Sequence, residues 1–133
     1  MTPEWRDAIN GGLVDQLERL LVAGADINAR DEHGQTGLML AAREGRAGVV
    51  ECLIEHGAML DVTAKYGLSA LMLAVVNGHV DVVRLLVRAG ANRELTGTGA
   101  PGFAGKTALD LARARDERAM VEILSAVDRG GAG

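Results

Sequence analysis

One stretch of this chain occurs twice at a fixed spacing, and that spacing restricts what the chain can fold into. The segment from Gly34 to Ala58 recurs almost in full from Gly67 to Ala91. A period of about 33 residues indicates stacked supersecondary units rather than one globular core. The matching positions are Leu38 and Leu71, Ala41 and Ala74, Gly45 and Gly78, Val50 and Val83, Leu53 and Leu86, and Gly57 and Gly90.

Each repeat contains two apolar stretches with helical spacing. Near the start, Trp5, Ala8 and Ile9 form one stripe, and the stretch from Val14 to Ala23 forms another that ends at Gly24. Subtracting one period brings the later pairs into register with this one, which has no preceding turn. We interpret it as an end cap, because terminal repeats of an array are atypical.

Polar, glycine-containing stretches separate the helix pairs and predict projecting turns at residues 26–35 and 61–68. A hydroxyl side chain follows each turn, where its oxygen can accept a hydrogen bond from a free amide at a helix start. The predicted first helix of the second repeat, Thr36 to Glu44, is short enough to depend on packing. The predicted caps are Thr36, Ser69 and Thr107.

The last unit follows at a longer offset, because Leu109 is the counterpart of Leu71 and Leu38. Five extra residues therefore enter the loop at residues 97–105, which is rich in glycine. Asp116 and Asp128 stand where earlier units have glycine. We predict a single domain over residues 1–128, with repeats at 1–30, 31–63, 64–96 and 97–128. Residues 129–133 are predicted to be a flexible tail.

Composition argues against several classes of function. The net charge is −4 and the basic residues are dispersed, which argues against nucleic-acid binding. Cys52 is the only cysteine, so no internal disulfide can form, and its apolar surroundings predict a buried, inert thiol. No basic start followed by an apolar run is present, and no segment is long enough to span a bilayer. A cytoplasmic monomer with no membrane contact is expected.

The repeated pattern G-x-T-x-L-x-L-A-x-x-x-G-x-x-x-V-V-x-x-L-[LIV]-x-x-G-A resembles the ankyrin repeat over residues 3–127. The resemblance implies an all-α solenoid of helix-turn-helix units with projecting hairpin-like loops. It also implies protein binding on the concave face formed by hairpin tips and first helices. The family's Thr-Pro-Leu-His tetrapeptide is altered, with Met39 and Met72 at the His position. Its His ties adjacent repeats together, whereas these methionines are expected to add apolar contact.

An alternative function is suggested by the sequence from Ala100 to Thr107, which matches a relaxed phosphate-loop pattern. Lys106 and Thr107 would then contact phosphates and magnesium, within a glycine-rich loop at residues 97–107 that could bind a nucleotide or another small molecule. A working phosphate loop directly follows a buried β-strand, and the sequence of residues 92–96 does not predict a strand. The repeat register also accounts for Gly105 and Thr107 without it.

Candidates for catalysis and metal binding are few. The histidines at positions 33, 56 and 79 recur at a step that does not match the repeat, so they cannot share one face as a metal site. Ser69 is used as a cap, and Glu51 and Glu55 form a solvated i, i+4 pair. We predict a protein that is not an enzyme and has no cofactor.

The repeat register leaves some positions that stacking does not dictate, and the resemblance implies that they form one continuous concave surface. Its middle is apolar, and exposed apolar groups rimmed by charge are typical of binding sites. The alternative is that Leu68 and Phe103 only pack the inserted loop against the stack. The predicted partner-binding residues are Glu32, His33, Gln35, Arg43, Glu44, Lys65, Tyr66, Leu68, Val76, Asn77, Phe103, Lys106 and Arg115.

Overall fold

The computed structural model describes residues 1–126, which form four helix pairs joined by loops. The predicted all-α repeat solenoid is confirmed. The predicted tail at 129–133 and Asp128 lie outside the described residues. The helices are α1 (Pro3–Gly11), α2 (Val14–Val22), α3 (Gly37–Glu44), α4 (Ala47–Glu55), α5 (Ala70–Val76), α6 (Val80–Arg88), α7 (Ala108–Ala114) and α8 (Arg118–Ser125).

The helices form two rows with the core between them. Helices α1, α3, α5 and α7 pack in succession as the first row, and α2, α4, α6 and α8 form the second. Small and medium apolar side chains fill the space between the rows. Met39 and Met72 are fully buried there, which confirms that they add apolar contact. Because the rows share one continuous core, each repeat depends on its neighbours for burial.

All three predicted caps are confirmed at the starts of the first-row helices. Thr36 Oγ1 accepts a hydrogen bond from the Met39 amide at 3.2 Å, and the other two caps make the equivalent bond. In the last repeat the cap is reciprocal, since the Thr107 amide donates to Asp110 Oδ2 at 3.0 Å. This bond lowers the pKa of the Asp110 carboxyl below its usual value. The predicted helix of the second repeat therefore begins at Gly37, with Thr36 as its N-cap.

Side chains of one repeat donate hydrogen bonds to backbone carbonyls of the preceding repeat. These bonds link adjacent repeats, a role that the altered tetrapeptide cannot fill without its histidine. The His79 imidazole donates from Nε2 to the Arg43 carbonyl at 2.9 Å. One repeat later, Arg115 donates from a guanidinium nitrogen to the Val76 carbonyl, also at 2.9 Å. Both bonds reach back to the carboxyl end of the preceding first-row helix, where unpaired carbonyls favour a positive side chain.

A second set of ties joins the loops that follow the second-row helices. Asn28 Oδ1 accepts from the Met59 amide at 2.9 Å, and Asp61 Oδ1 accepts from the Asn92 amide at 2.8 Å. The two acceptors are one period apart, as are the two donors, so these bonds recur with the repeat. They fix the spacing between repeats at the base of the projecting turns.

Substitution of Gly37 tests how closely the first two repeats pack. A Cβ at Gly37 would clash with Cδ1 of Ile9 and lie 3.0 Å from the Trp5 indole nitrogen. Both side chains are fully enclosed and cannot move away easily. We expect Gly37→Ala to lower the free energy of unfolding by about 1–2 kcal/mol, after the gain in helix propensity is allowed for.

Gly48 is the matched control, because it is an exposed glycine inside α4 whose nearest neighbour would be a Val14 methyl at 3.8 Å. There the same change should stabilise the protein by roughly 0.5 kcal/mol. Urea denaturation of both variants measures the two values. If both substitutions changed the free energy of unfolding in the same direction, the close contact between α1 and α3 would be contradicted.

Candidate binding surface

The turn of the second repeat is held by an aspartate side chain. Asp31 Oδ1 accepts from the amides of His33 and Gln35, each at 2.9 Å. The Asp31 amide in turn donates to the Gln35 carbonyl at 2.9 Å. Such a bonded turn fixes its own backbone without outside contacts. His33 is therefore presented at the tip with its side chain exposed.

The equivalent turn of the third repeat has Ala64 in place of the aspartate and is held differently. Residues 65–67 form a short 3₁₀ segment in which Tyr66 adopts a left-handed conformation, with φ 64° and ψ 19°. This conformation is costly for a bulky residue and persists only where surrounding contacts impose it. Here the Tyr66 carbonyl accepts a hydrogen bond of 2.7 Å from the Thr98 amide. The inserted loop thus adds an outside hydrogen bond to a turn that lacks the side-chain bonds of the aspartate.

The inserted loop is folded compactly on itself. The Gly97 amide donates to the Lys106 carbonyl at 2.9 Å, and the Gly105 amide donates back to the Gly97 carbonyl at 3.0 Å. Gly97 is buried, and a Cβ there would clash with the Phe103 carbonyl oxygen. Only glycine fits such a close approach of two backbone segments. The loop therefore holds Phe103 in a fixed place beside the third repeat.

Tyr66 and Phe103 form a stacked aromatic pair across the two repeats. Their ring centroids are 6.0 Å apart and the ring planes are inclined by 30°, a favourable arrangement for aromatic side chains. The Lys65 ammonium lies over the Tyr66 ring, 4.9 Å from its centroid. Tyr66 is 38% exposed and Phe103 is half-buried. The pair is an apolar platform that solvent can reach, with a positive charge beside it.

Leu68 does not belong to the exposed surface, and the expectation that it would be exposed is wrong. Its side chain is only 8% exposed and contributes to the core. The Leu68 carbonyl accepts from the Ala64 amide at 3.1 Å, which closes the turn. The extended backbone at residue 68 leads directly into the N-cap of α5, and the apolar side chain packs with the core residues. Leu68 is therefore a core residue and is not available to contact a partner.

The charged residues of the second repeat are engaged with one another and with the first repeat. The Arg6 guanidinium on α1 forms an ion pair of 2.6 Å with the Glu32 carboxylate. The hydrogen bond from Arg6 holds the pKa of the Glu32 carboxyl below its usual value. Arg43 and Glu44 form a looser contact, with 3.8 Å between Nε and Oε1. Of these predicted residues, Glu32 is thus paired with the first repeat, and Arg43 contacts its neighbour in the sequence.

The remaining predicted residues are distributed along the ends of the first-row helices and their turns. Arg115 is exposed and, besides its bond to Val76, lies 3.4 Å from the Glu117 carboxylate. Asn77 uses its side-chain amide to donate to the Leu73 carbonyl at 2.8 Å. Gln35 is half-buried, and Lys106 is exposed on the turn before α7.

The geometry before α7 does not form a phosphate cradle. The Thr107 amide and hydroxyl are both used in the reciprocal cap with Asp110, whose carboxylate occupies the helix start. Residues 92–96 form no strand, and α7 has only seven residues. A carboxylate at this end would repel a phosphate group.

The described residues provide neither a metal cluster nor a membrane span. Within residues 1–126, no group of three or more His, Cys, Asp and Glu side chains is placed to hold a metal ion. In the same range no helix has the length and apolar character needed to cross a membrane. Cys52 is buried as predicted, and this burial raises the pKa of its thiol, which disfavours the reactive thiolate.

Comparison with protein families agrees with the architecture. A family model described as ankyrin repeats, in three copies, matches residues 6–97. The chain belongs to the ankyrin repeat family, whose members are generally protein–protein interaction modules and typically non-enzymatic binding scaffolds. No curated protein matched this chain in the comparison. The family match ends where the inserted loop begins, and in the structure α7 and α8 continue the two helix rows beyond it.

Sequence reasoning missed three contacts that shape this surface. Arg6 lies in the capping repeat, and nothing in the repeat pattern links it to Glu32. Thr98 lies in the insertion, where no register exists to place it. The position of His79 indicates only a general structural role, whereas its bond to the preceding repeat is a specific tie. The one signal in the sequence is Ala64 in place of an aspartate, which indicates that the third turn needs another contact.

Proposed function

We propose that this protein is a non-enzymatic ankyrin-repeat module that binds a protein or peptide on the concave face. The proposed contact surface consists of the turn tips and the ends of the first-row helices. The observation that supports it best is the Tyr66–Phe103 platform, an aromatic pair that solvent reaches and that two repeats and an insertion hold in place. Aromatic side chains in such positions are the common anchors of protein interfaces.

The Tyr66–Phe103 platform is held in a fixed arrangement as well as being exposed to solvent. The inserted loop places Phe103 against Tyr66, and Tyr66 itself adopts a costly backbone conformation because of the loop. A prearranged aromatic surface loses little side-chain freedom when a partner binds, so more of the contact energy appears as affinity. We also propose that the protein acts as a cytoplasmic monomer, which sedimentation analysis of the purified chain and imaging in the source cell would test.

Removal of both rings tests the proposed surface. We expect Tyr66→Ala/Phe103→Ala to weaken partner binding about tenfold or more, since one aromatic anchor is often worth about 2 kcal/mol. The measurement is recovery of partners from the source cell on immobilised wild-type and variant protein, followed by mass spectrometry. Circular dichroism of the variant should keep its helical signal, because both rings lie outside the α-helices.

Val22→Ala/Met59→Ala is the matched control, since these apolar residues are 90% and 59% exposed and lie on α2 and the loop after α4. This control should recover the same partners as the wild type. Equal recovery by the Tyr66/Phe103 variant would overturn the proposed surface. The alternative of a nucleotide or small metabolite at residues 97–107 would instead appear as a raised thermal midpoint on addition of that ligand.

A further inference from the structure

The charges of the proposed surface are divided between its two halves. In the second repeat, Glu32 is paired with Arg6 at 2.6 Å, and Arg43 lies 3.8 Å from Glu44. These charges largely compensate one another within the protein. A partner that contacts this half therefore meets little uncompensated charge.

The half formed by the third and fourth repeats has a positive character. Lys65 and Lys106 are both exposed, and neither forms an ion pair with a carboxylate in the described part of the chain. Arg115 adds a third cation, although Glu117 lies close to it. The Asp110 carboxylate accepts a hydrogen bond from the Thr107 amide and remains charged, so it offsets part of the charge of Lys106. This positive half contrasts with the chain's net charge of −4.

The aromatic platform lies within this positive half. Lys65 is above the Tyr66 ring, Phe103 is stacked beside it, and Lys106 follows Phe103 in the same turn. Apolar area and positive charge thus occur side by side, on two adjacent turns. A complementary ligand needs a large apolar side chain for the platform and neighbouring carboxylates that reach Lys65 and Lys106.

We infer that the third and fourth repeats bind a short acidic peptide segment that carries an aromatic or large aliphatic side chain between its carboxylates. This inference rests on the proposed function and specifies the partner's chemistry. A nucleic acid or an anionic membrane would be repelled at longer range by the negative remainder of the chain and would find few cations to contact. A peptide is small enough to interact only with the local positive half.

Fluorescence polarisation with synthetic peptides tests this inference directly. The probe is a labelled peptide with one central Phe flanked on both sides by Glu, compared with peptides in which Phe is replaced by Ala or Glu by Gln. Wild-type protein should bind the probe, and either replacement should weaken binding about tenfold. Binding of the probe should also weaken as salt is raised, because exposed charges are screened.

Charge reversal in the protein supplies the matched comparison. Lys65→Glu/Lys106→Glu should weaken binding of the probe about tenfold or more. Arg84→Glu/Arg88→Glu makes the same change in net charge on α6, in the second helix row, and should change binding by less than about twofold. Equal losses in the two variants, or no saturable binding of the probe by wild-type protein, would overturn the inference.

Selection from a random peptide library distinguishes failure of this inference from failure of the proposed function. Enrichment of acidic peptides with an aromatic or large aliphatic residue, lost in Tyr66→Ala/Phe103→Ala, supports both. Enrichment of neutral or basic peptides that still require the two rings overturns the inference and leaves the proposed function standing. Enrichment that is indifferent to the two rings overturns both. No enrichment at all overturns the inference alone, because the proposed function also covers a folded protein partner and is tested by partner recovery.

Discussion

Leu71→Ala is expected to lower the free energy of unfolding by about 2–5 kcal/mol, because it leaves a cavity in the central repeat. Leu71 is fully buried in α5, which packs against α3, α6 and α7. Its loss therefore weakens contacts on both sides of the third repeat as well as within it. Urea denaturation followed by circular dichroism measures the change through the transition midpoint.

Leu13 provides the control for this substitution, because it is 52% exposed at the start of α2. Leu13→Ala removes the same atoms and should change stability by less than about 0.5 kcal/mol. If the array loses cooperativity in the Leu71 variant, the transition will broaden or divide, since neighbouring repeats are coupled only through their interfaces. A midpoint equal to that of the wild type would contradict the burial of Leu71 at the centre of the stack.

Much of the fold was predictable from the sequence because repeated positions report the same local environment several times. Thr36, Ser69 and Thr107 each precede an apolar stretch at the same register, and each caps a helix. One such hydroxyl alone would be weak evidence for a helix start. Recurrence at a fixed offset makes the prediction specific, because unrelated features do not share a period.

The candidate surface was less predictable because it depends on departures from the repeat. Leu68 is equivalent in the repeat to Gln35 and Lys106, which are polar. The register therefore predicts that the Leu68 side chain is exposed. Gln35 makes the same turn hydrogen bond one repeat earlier and is half-buried, whereas the apolar side chain of Leu68 packs into the core. The left-handed Tyr66 is bonded through its carbonyl to the amide of Thr98, a residue of the insertion. Contacts that involve inserted residues have no counterpart in the other repeats from which to infer them.

Gly45→Ala is expected to lower the free energy of unfolding by about 2–3 kcal/mol, for two separable reasons. Gly45 ends α3 with φ 73°, a left-handed conformation that costs an L-residue roughly 1–2 kcal/mol. A Cβ there would also lie 2.5 Å from Nδ1 of His79, so the ring must move. Movement would break its bond to the Arg43 carbonyl, worth about 1 kcal/mol.

Gly57→Ala isolates the first of these costs. Gly57 follows α4 with φ 82°, and a Cβ there would have no heavy atom within 4 Å. Both variants can be compared by urea denaturation at matched conditions. The excess loss in Gly45→Ala then measures what the contact with His79 contributes, and equal losses would mean that this contact does not stabilise the stack.

The last repeat also separates the cost of the left-handed backbone from the cost of the contact with the next repeat. Asp116 occupies the position equivalent to Gly45 and adopts φ 57°, so the fold accepts a non-glycine residue in this conformation. Within residues 1–126, no further helix pair follows α8 to place a side chain against it. At Gly78, by contrast, a Cβ would lie 3.2 Å from the Arg115 guanidinium of the next repeat. The contact cost is therefore largest at Gly45, smaller at Gly78, and absent at Gly12, where the nearest atom of the next repeat would lie at 3.5 Å.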